Sequence, residues 1–390
     1  MPPIYLDYNA TTPLDPRVLE VMGPFFSERF GNPSSTHLHG HDANTVLDVA
    51  RADVASLVDA DPDEVVFTSG ATESNNLAIR GIAEAKHQTH DHMVCSAIEH
   101  ASVLAVMDYL KSKGWRITVL PVTRDGFVEP RSLRAVLDRE PRTALVSVMT
   151  ANNEIGTVQP VKEISDICRE RGVAFHTDAC QGFGRVALKV CGVGGPCAPA
   201  ADMISLSGHK LYGPKGIGAL IVRKGSTVTP QTLGGTHEHG MRAGTPNVPG
   251  IVGLGVACSI MREEWPAESD RLRKLRDCLL GYLRASLGDR IVVNGAMGDD
   301  TVRLPHNLNV TILGIDPEKF ALGVEGHISI SGSSACSSGL KPKTSKIIEA
   351  IGGHSVEEGA TARIGLGRHT TLADVQRAAK VISETSKRLW

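Results

Sequence analysis

Lys210 stands where a short apolar run, Met203-Ile-Ser-Leu-Ser207, gives way to Gly-His-Lys-Leu-Tyr-Gly-Pro-Lys-Gly-Ile-Gly218. Ile204 and Leu206 suit a buried strand and the glycine- and proline-rich sequel suits a turn, so Lys210 is expected at a strand end. A lysine beside an apolar core loses hydration, its pKa falls, and the free amine can form a Schiff base with a carbonyl such as that of pyridoxal phosphate. Taken alone, it is as readily a solvated surface lysine. Its companions alter that balance. Thr72 follows the strand signal Glu64–Ser69 through a glycine turn, His100 follows His92–Ala97, Asn153 follows Ala144–Thr150, and Asp178 ends the run from Val173. Each has a plainer reading, as a helix cap for Thr72 and His100 and as an ion pair or N-cap for Asp178. A carboxylate at a buried strand end needs a cation, and a pyridinium nitrogen would serve. In a βαβ series the strands run parallel and their C-terminal ends share one edge, where ligands bind in open α/β sheets. Convergence of these groups on that edge is the expectation.

Two further stretches carry chemistry. Cys336 lies in Ile328-Ser-Ile-Ser-Gly-Ser-Ser-Ala-Cys-Ser-Ser-Gly339, where small residues give no apolar cover, so its thiol is expected on an accessible, mobile loop as a nucleophile. Arg363, in Ala362-Arg-Ile-Gly-Leu-Gly-Arg368, is expected at a strand start, where a guanidinium could grip a carboxylate bidentately; Arg368 competes for that role. His37, His39 and His41 alternate in a turn-rich segment read as a loop, but no cysteine or carboxylate flanks them closely, so capping or solvated histidines are preferred to a metal site. Cys191 and Cys197 bracket a glycine-rich stretch read as a plain loop rather than a redox pair.

The elements that must position these residues alternate in type up to about residue 255 and are helical beyond it. Helices are expected over 42–59, 161–171 and, as several pieces, 248–285, the last with an apolar stripe of Leu272, Leu275, Leu279, Leu280 and Leu283. A chain of 390 residues exceeds one core at roughly 150 residues per domain. The expected division is an N-terminal segment, 1–15, joining a small domain, a large domain over 16–254, and a small C-terminal domain over 255–390. With 41% hydrophobic and 22% charged residues and a net charge of -2, nothing indicates a nucleic-acid surface. The first residues lack a leader pattern and no apolar run spans a bilayer, so a cytoplasmic protein with reduced thiols is expected.

Taken together, Leu-Asp-Tyr-Asn-Ala-Thr-Thr, Gly-Asn-Pro-Ser-Ser, Thr-Ser-Gly-Ala-Thr-Glu-Ser-Asn-Asn, Asn-Asn-Glu-Ile-Gly, Ser-Gly-His-Lys-Leu-Tyr-Gly-Pro-Lys-Gly and Gly-Met-Arg-Ala-Gly-Thr resemble the cysteine desulfurases of the NifS/IscS type, in order and over nearly the whole chain. The resemblance implies an α/β pyridoxal-phosphate-dependent transferase of fold type I, with a mostly parallel seven-stranded sheet and a smaller α+β C-terminal domain. It implies Lys210 as the Schiff-base lysine, Asp178 as partner of the pyridine nitrogen, His100 stacked on the cofactor and Gln181 on its phenolic oxygen. Ala71, Thr72, Ser207 and His209 would hold the phosphate, with Thr245 reaching it from the second subunit of a homodimer. Asn32, Asn153 and Arg363 would position L-cysteine, and Cys336 would take its sulfur as a persulfide for an acceptor protein of iron–sulfur or thio-cofactor assembly. A selenocysteine lyase resembles the chain nearly as well; a sulfur-transfer scaffold and an ordinary aminotransferase are the alternatives of other kinds. The chain departs from the family pattern at Ser333, where glycine is usual, at Gly365, where serine is usual, and in the Cys191–Cys197 stretch.

Overall fold

The computed structural model describes residues 2–188, 201–332 and 343–390. Its strands are β1 (Ile4–Tyr5), β2 (Val65–Thr68), β3 (His92–Ser96), β4 (Arg116–Leu120), β5 (Thr143–Ser147), β6 (Ala174–Asp178), β7 (Met203–Ser207), β8 (Gly218–Val222), β9 (Ile291–Val293), β10 (Asn307–Leu313), β11 (Ile328–Ser329), β12 (Ser331–Gly332) and β13 (Gly359–Gly365). The helices are α1 (Pro16–Met22), α2 (Leu38–Ser56), α3 (Ala71–Lys86), α4 (Ala101–Ser112), α5 (Pro130–Arg139), α6 (Val161–Glu170), α7 (Val248–Leu287), α8 (Pro317–Val324), α9 (Lys346–Ala350) and α10 (Leu372–Leu389).

The central sheet has the order β2-β8-β7-β6-β5-β3-β4, and β8 alone runs antiparallel to its neighbours. This is the mostly parallel seven-stranded sheet expected. Strands β2, β3, β5, β7 and β8 are buried throughout, as a sheet covered on both faces requires. Alternate residues serve opposite cores: Phe67, Val94, Val146, Ile204 and Leu206 pack with α2, α5, α6 and the start of α7, whereas Val66, Met93, Leu145, Met203 and Leu220 pack with α3 and α4. A third core fills an antiparallel sheet ordered β12-β13-β10-β9 with α8, α10 and the second half of α7. Ile4 and Leu6 belong to that third core, and β1 pairs in parallel with β11.

Three expectations change. The segment read as a loop through His41 is already helical from Leu38, because His37 Nδ1 caps α2 by accepting the Gly40 N–H at 3.3 Å. The several helices expected over 248–285 are one, α7, which continues through Pro266 despite its missing N–H. The neighbouring Trp265 packs against two of the cores, so tertiary packing holds the helix together there. Arg363 lies inside β13, paired across from Asn309 and Ser331, not at a strand start. The strand begins four residues earlier, at Gly359, because β13 pairs with β10 along its full length, from Leu313 opposite Gly359 to Asn307 opposite Gly365. Among the described residues no helix is long and apolar enough to cross a membrane, and no group of three His, Cys, Asp or Glu is arranged to hold a metal.

Candidate active site

The C-terminal ends of β2, β3, β5, β6 and β7 lie along one sheet edge, and hydrogen bonds through Asn75 and Ser102 join the ends of β3 and β6 there. Lys210 closes a single 3-10 turn directly after β7. Its Nζ donates to the carbonyls of Asn9 and Ala10, both at 2.6 Å. Burial pushes its ammonium down to about 8; Arg363 and Arg185 push the same way, while Cys180 and Asp178 oppose them. The amine is therefore partly free near neutral pH, which a nucleophilic lysine requires.

Asp178 ends β6 and is buried, its Oδ2 accepting from Asn75 Nδ2 at 2.8 Å and its Oδ1 from the Cys180 N–H at 3.0 Å. Asn75 Nδ2 also donates to Ser102 Oγ at 2.8 Å, and that hydroxyl lies 2.8 Å from His100 Nδ1. The same Nδ1 accepts the Ser102 N–H at 3.1 Å, so in the neutral ring the proton sits on Nε2. His100 is thus the N-cap of α4, as the plainer reading had it, and its exposed ring is simultaneously tied to Asp178 through two side chains. Gln181 is buried, donating from Nε2 to the Asn9 carbonyl at 3.0 Å and accepting from Asn9 Nδ2 at 3.4 Å. Ala71 and Thr72 open α3, whose N-cap, Gly70, offers no side-chain acceptor to the first-turn N–H groups; Thr72 does not cap it. Ser207 Oγ adjoins this end: a Cβ on Gly70 would lie 3.8 Å from it. Gly70 has φ +149°, which favours glycine, and Gly218 opposite it is glycine because a Cβ there would come within 2.7 Å of the Gly70 Cα. His209 Nδ1 lies 3.0 Å from Thr11 Oγ1, and burial pushes its imidazolium down to about 4.

Arg363 donates from Nη2 to Asp7 Oδ1 and Ser331 Oγ, each at 2.9 Å, and Ser331 Oγ donates to Asp7 Oδ2 at 2.9 Å. Its Nε is buried with no partner. It lines a cleft of about 440 Å³ together with Ser331, Thr361, Asn309, Glu154 and Glu99. Arg368, its rival, is committed elsewhere: it pairs with Asp15 and Glu264 and lies 4.4 Å over the Tyr212 ring. Asn153 is half-buried, while the adjacent Asn152 shapes the turn by accepting from the Glu154 and Ile155 N–H groups. Asn32 and Thr245 are exposed, Asn32 Oδ1 accepting from the Ser34 N–H at 2.9 Å, and among the described residues neither hydrogen-bonds to Lys210 or Asp178. Cys336, Cys191 and Cys197 lie outside the described residues.

Sequence reasoning missed Asn9, Asn75, Ser102 and Glu99. Asn75 could have been found, since it lies four residues after Ala71 and so on the same face of α3. Asn9 also explains Gly365: a Cβ there would meet Asn9 Oδ1 at 2.3 Å and the Asn9 nitrogen at 2.8 Å. The set of an uncapped helix N-terminus beside a hydroxyl, a buried carboxylate without a bonded cation, an exposed imidazole and a dehydrated amine suits a ligand carrying a phosphate, a basic ring nitrogen and an aldehyde.

Comparison with known proteins agrees with this geometry. The family described as Aminotransferase class-V matches residues 4–378. A protein of Rickettsia bellii named cysteine desulfurase IscS is 42% identical over 393 residues, covering 99% of this chain and 92% of its own. A solved NifS-like protein superposes with a TM-score of 0.89 at 35% identity, covering 100% of both chains. SspA, solved in complex with cysteine, gives 0.81 at 35% identity, covering 94% of this chain and 100% of its own.

Proposed function

We propose, from the premise that this chain belongs to the aminotransferase class-V family and within it to the cysteine desulfurases, that it takes the sulfur of L-cysteine with pyridoxal phosphate as cofactor, leaving L-alanine and a persulfide on Cys336. Bound pyridoxal phosphate supplies an electron sink for the pair left at the substrate's Cα. In this reading Ala71, Thr72, Ser207 and His209 hold its phosphate, joined by Thr245 of a second copy in a homodimer. Asp178 keeps the ring nitrogen protonated, Gln181 contacts the phenolic oxygen, and His100 stacks on the ring with its orientation fixed by Ser102. Asn32, Asn153 and Arg363 orient the amino acid. Lys210, once its amine is free, moves the proton at Cα. The Cys336 thiolate attacks the substrate sulfur: an S–S bond forms, the C–S bond breaks with its pair left on carbon, and protonation of that carbon gives alanine. An acceptor protein of iron–sulfur or thio-cofactor assembly then receives the sulfur.

The observation that carries this reading is the Lys210 amine, dehydrated and held by two carbonyls on the edge shared with Asp178. The purified protein, loaded with pyridoxal phosphate and given L-cysteine, is expected to form alanine and persulfide sulfur in equal amounts. Cys336→Ala is expected to keep the cofactor absorbance and lose sulfur release; a fully active variant overturns the role of Cys336. Persistence of the lysine-bound cofactor band in Lys210→Ala overturns the reading as a whole.

A further inference from the structure

Arg185 lies in the turn after β6, four residues beyond Gln181, and is buried. Its guanidinium meets main-chain carbonyls: Nη2 donates to that of Lys210 at 2.5 Å and Nη1 to that of Gln181 at 3.4 Å. Trp265 of α7 holds Arg185 at both ends, its ring centre 5.5 Å from Cζ and its Nε1 donating to the Arg185 carbonyl at 3.2 Å. Arg185 Nε is buried with no partner, and among the described residues no carboxylate pairs with the guanidinium. A buried cation without a counter-ion is costly, and an apolar side chain of similar volume would brace a core at least as well. What the guanidinium does that an apolar group could not is hold Lys210 and Gln181 together. Thr12 ties the lysine's turn on either side, its Oγ1 donating to the His209 carbonyl at 2.9 Å and accepting the Tyr212 N–H at 2.8 Å. The Lys210 carbonyl itself is left to Arg185, whichever way the amine points.

We propose that Arg185 is a positioning residue for Lys210: its two carbonyl bonds lock the lysine's turn to that of Gln181, and its unneutralised charge disfavours a second cation beside it. The inference rests on the reading of Lys210 as the amine that takes the cofactor. The surrounding groups leave Arg185 this role. Burial is the chief cause that frees the Lys210 amine; Arg363 on β13 and Arg185 add to it, while Cys180 and Asp178 oppose it. Burial pushes the Cys180 thiol up, so Asp178 is the anion that counts. Arg363 is paired with Asp7, and Arg368, which faces Arg185 from beyond β13, is paired with Asp15 and Glu264. The other neighbours are uncharged near neutral pH, since burial pushes the Tyr212 hydroxyl up and the His209 and His306 imidazoliums down. Burial pushes Arg185 itself down to about 10, so it is still a cation where Lys210 titrates.

The test follows loading of the full-length apoprotein with pyridoxal phosphate, as absorbance of the lysine-bound cofactor, from about pH 6 to 10 in the wild type, Arg185→Met, Arg185→Gln and Lys210→Ala. The wild-type rate is expected to be half-maximal near pH 8. Both Arg185 variants lack the charge, so both should move that midpoint up by about half a pH unit or more. The loaded enzymes then separate the bonds from the charge. Arg185→Met, with no donor, is expected to lose roughly tenfold in kcat for L-cysteine with KM unchanged, and Arg185→Gln, whose amide can still reach one carbonyl, to recover part of that loss. The melting temperature of Arg185→Met is expected to equal or exceed that of the wild type. A lowered melting temperature with the midpoint unmoved, or failure of both variants to fold, would mark Arg185 as a structural brace and overturn the proposal, as would wild-type kcat in Arg185→Met. If Lys210→Ala keeps the lysine-bound band, the reading of Lys210 itself fails; if that band is lost and the Arg185 variants load as the wild type does, only the role of Arg185 fails.

Discussion

Lys210 has an environment that sets when its amine is available. Its folded value of about 8 lies below that of an ordinary lysine, so the free amine grows as pH rises toward and through 8. Loading of the apoprotein with pyridoxal phosphate should therefore accelerate between pH 7 and 8.5 and level off above, as followed by absorbance; a rate still climbing at pH 10 would mean an unshifted lysine. Asp178→Asn, close in shape but uncharged, is expected to lower turnover by about 10²-fold or more while circular dichroism stays unchanged. At this scale the sequence was readable wherever a residue ended a strand, which is how Lys210, Asp178 and His100 stood out, whereas Gln181 was named only through the family resemblance. Their partners were not, because Asn9 meets Gln181 across 172 positions and Asn75 meets Asp178 across 103. No local period encodes such a bond.

Elements bring those side chains within reach, and their close approaches are where a single methylene matters. The Gly365 N–H donates to the Leu6 carbonyl at 2.7 Å, and Asn9 fills the room a side chain at 365 would take. Gly365→Ser is accordingly expected to cost about 1–3 kcal/mol in chemical denaturation, as overpacked sites do. Asn9→Ser in the same chain should return part of that loss, giving a non-zero coupling in a double-mutant cycle. The parallel sheet was legible from its apolar runs and turn residues. The unbroken α7 was not, since Pro266 reads as a breaker and only the packing of Trp265 on two cores overrides it. Arg363 was misplaced along its strand for a related reason: β13 pairs with β10, some fifty residues earlier, and strand limits are set by that partner.

Across the whole molecule, stability and site chemistry share groups. Glu99 keeps its proton in the native state up to about pH 8, whereas an unfolded glutamate releases it near 4.3. Over that window the native state binds the extra proton, so the stability Glu99 contributes is complete at acid pH and is lost as pH rises to about 8. Urea unfolding at pH 5.5 and 8.5 should show Glu99→Gln losing less stability over the interval than the wild type; equal losses would mean that Glu99 is ionised in both. The first dozen residues bind the molecule in another sense. Asp7 holds Arg363, 356 positions away, while the carbonyls of Asn9 and Ala10 hold Lys210 some two hundred away. A nascent chain can therefore anchor its opening segment on the Lys210 turn once slightly more than half of these 390 residues are made, and can close the Asp7–Arg363 pair only once β13 follows. On the proposed roles, a fragment that stops before β13 would hold the Lys210 amine through its first residues but lack the guanidinium that Asp7 orients.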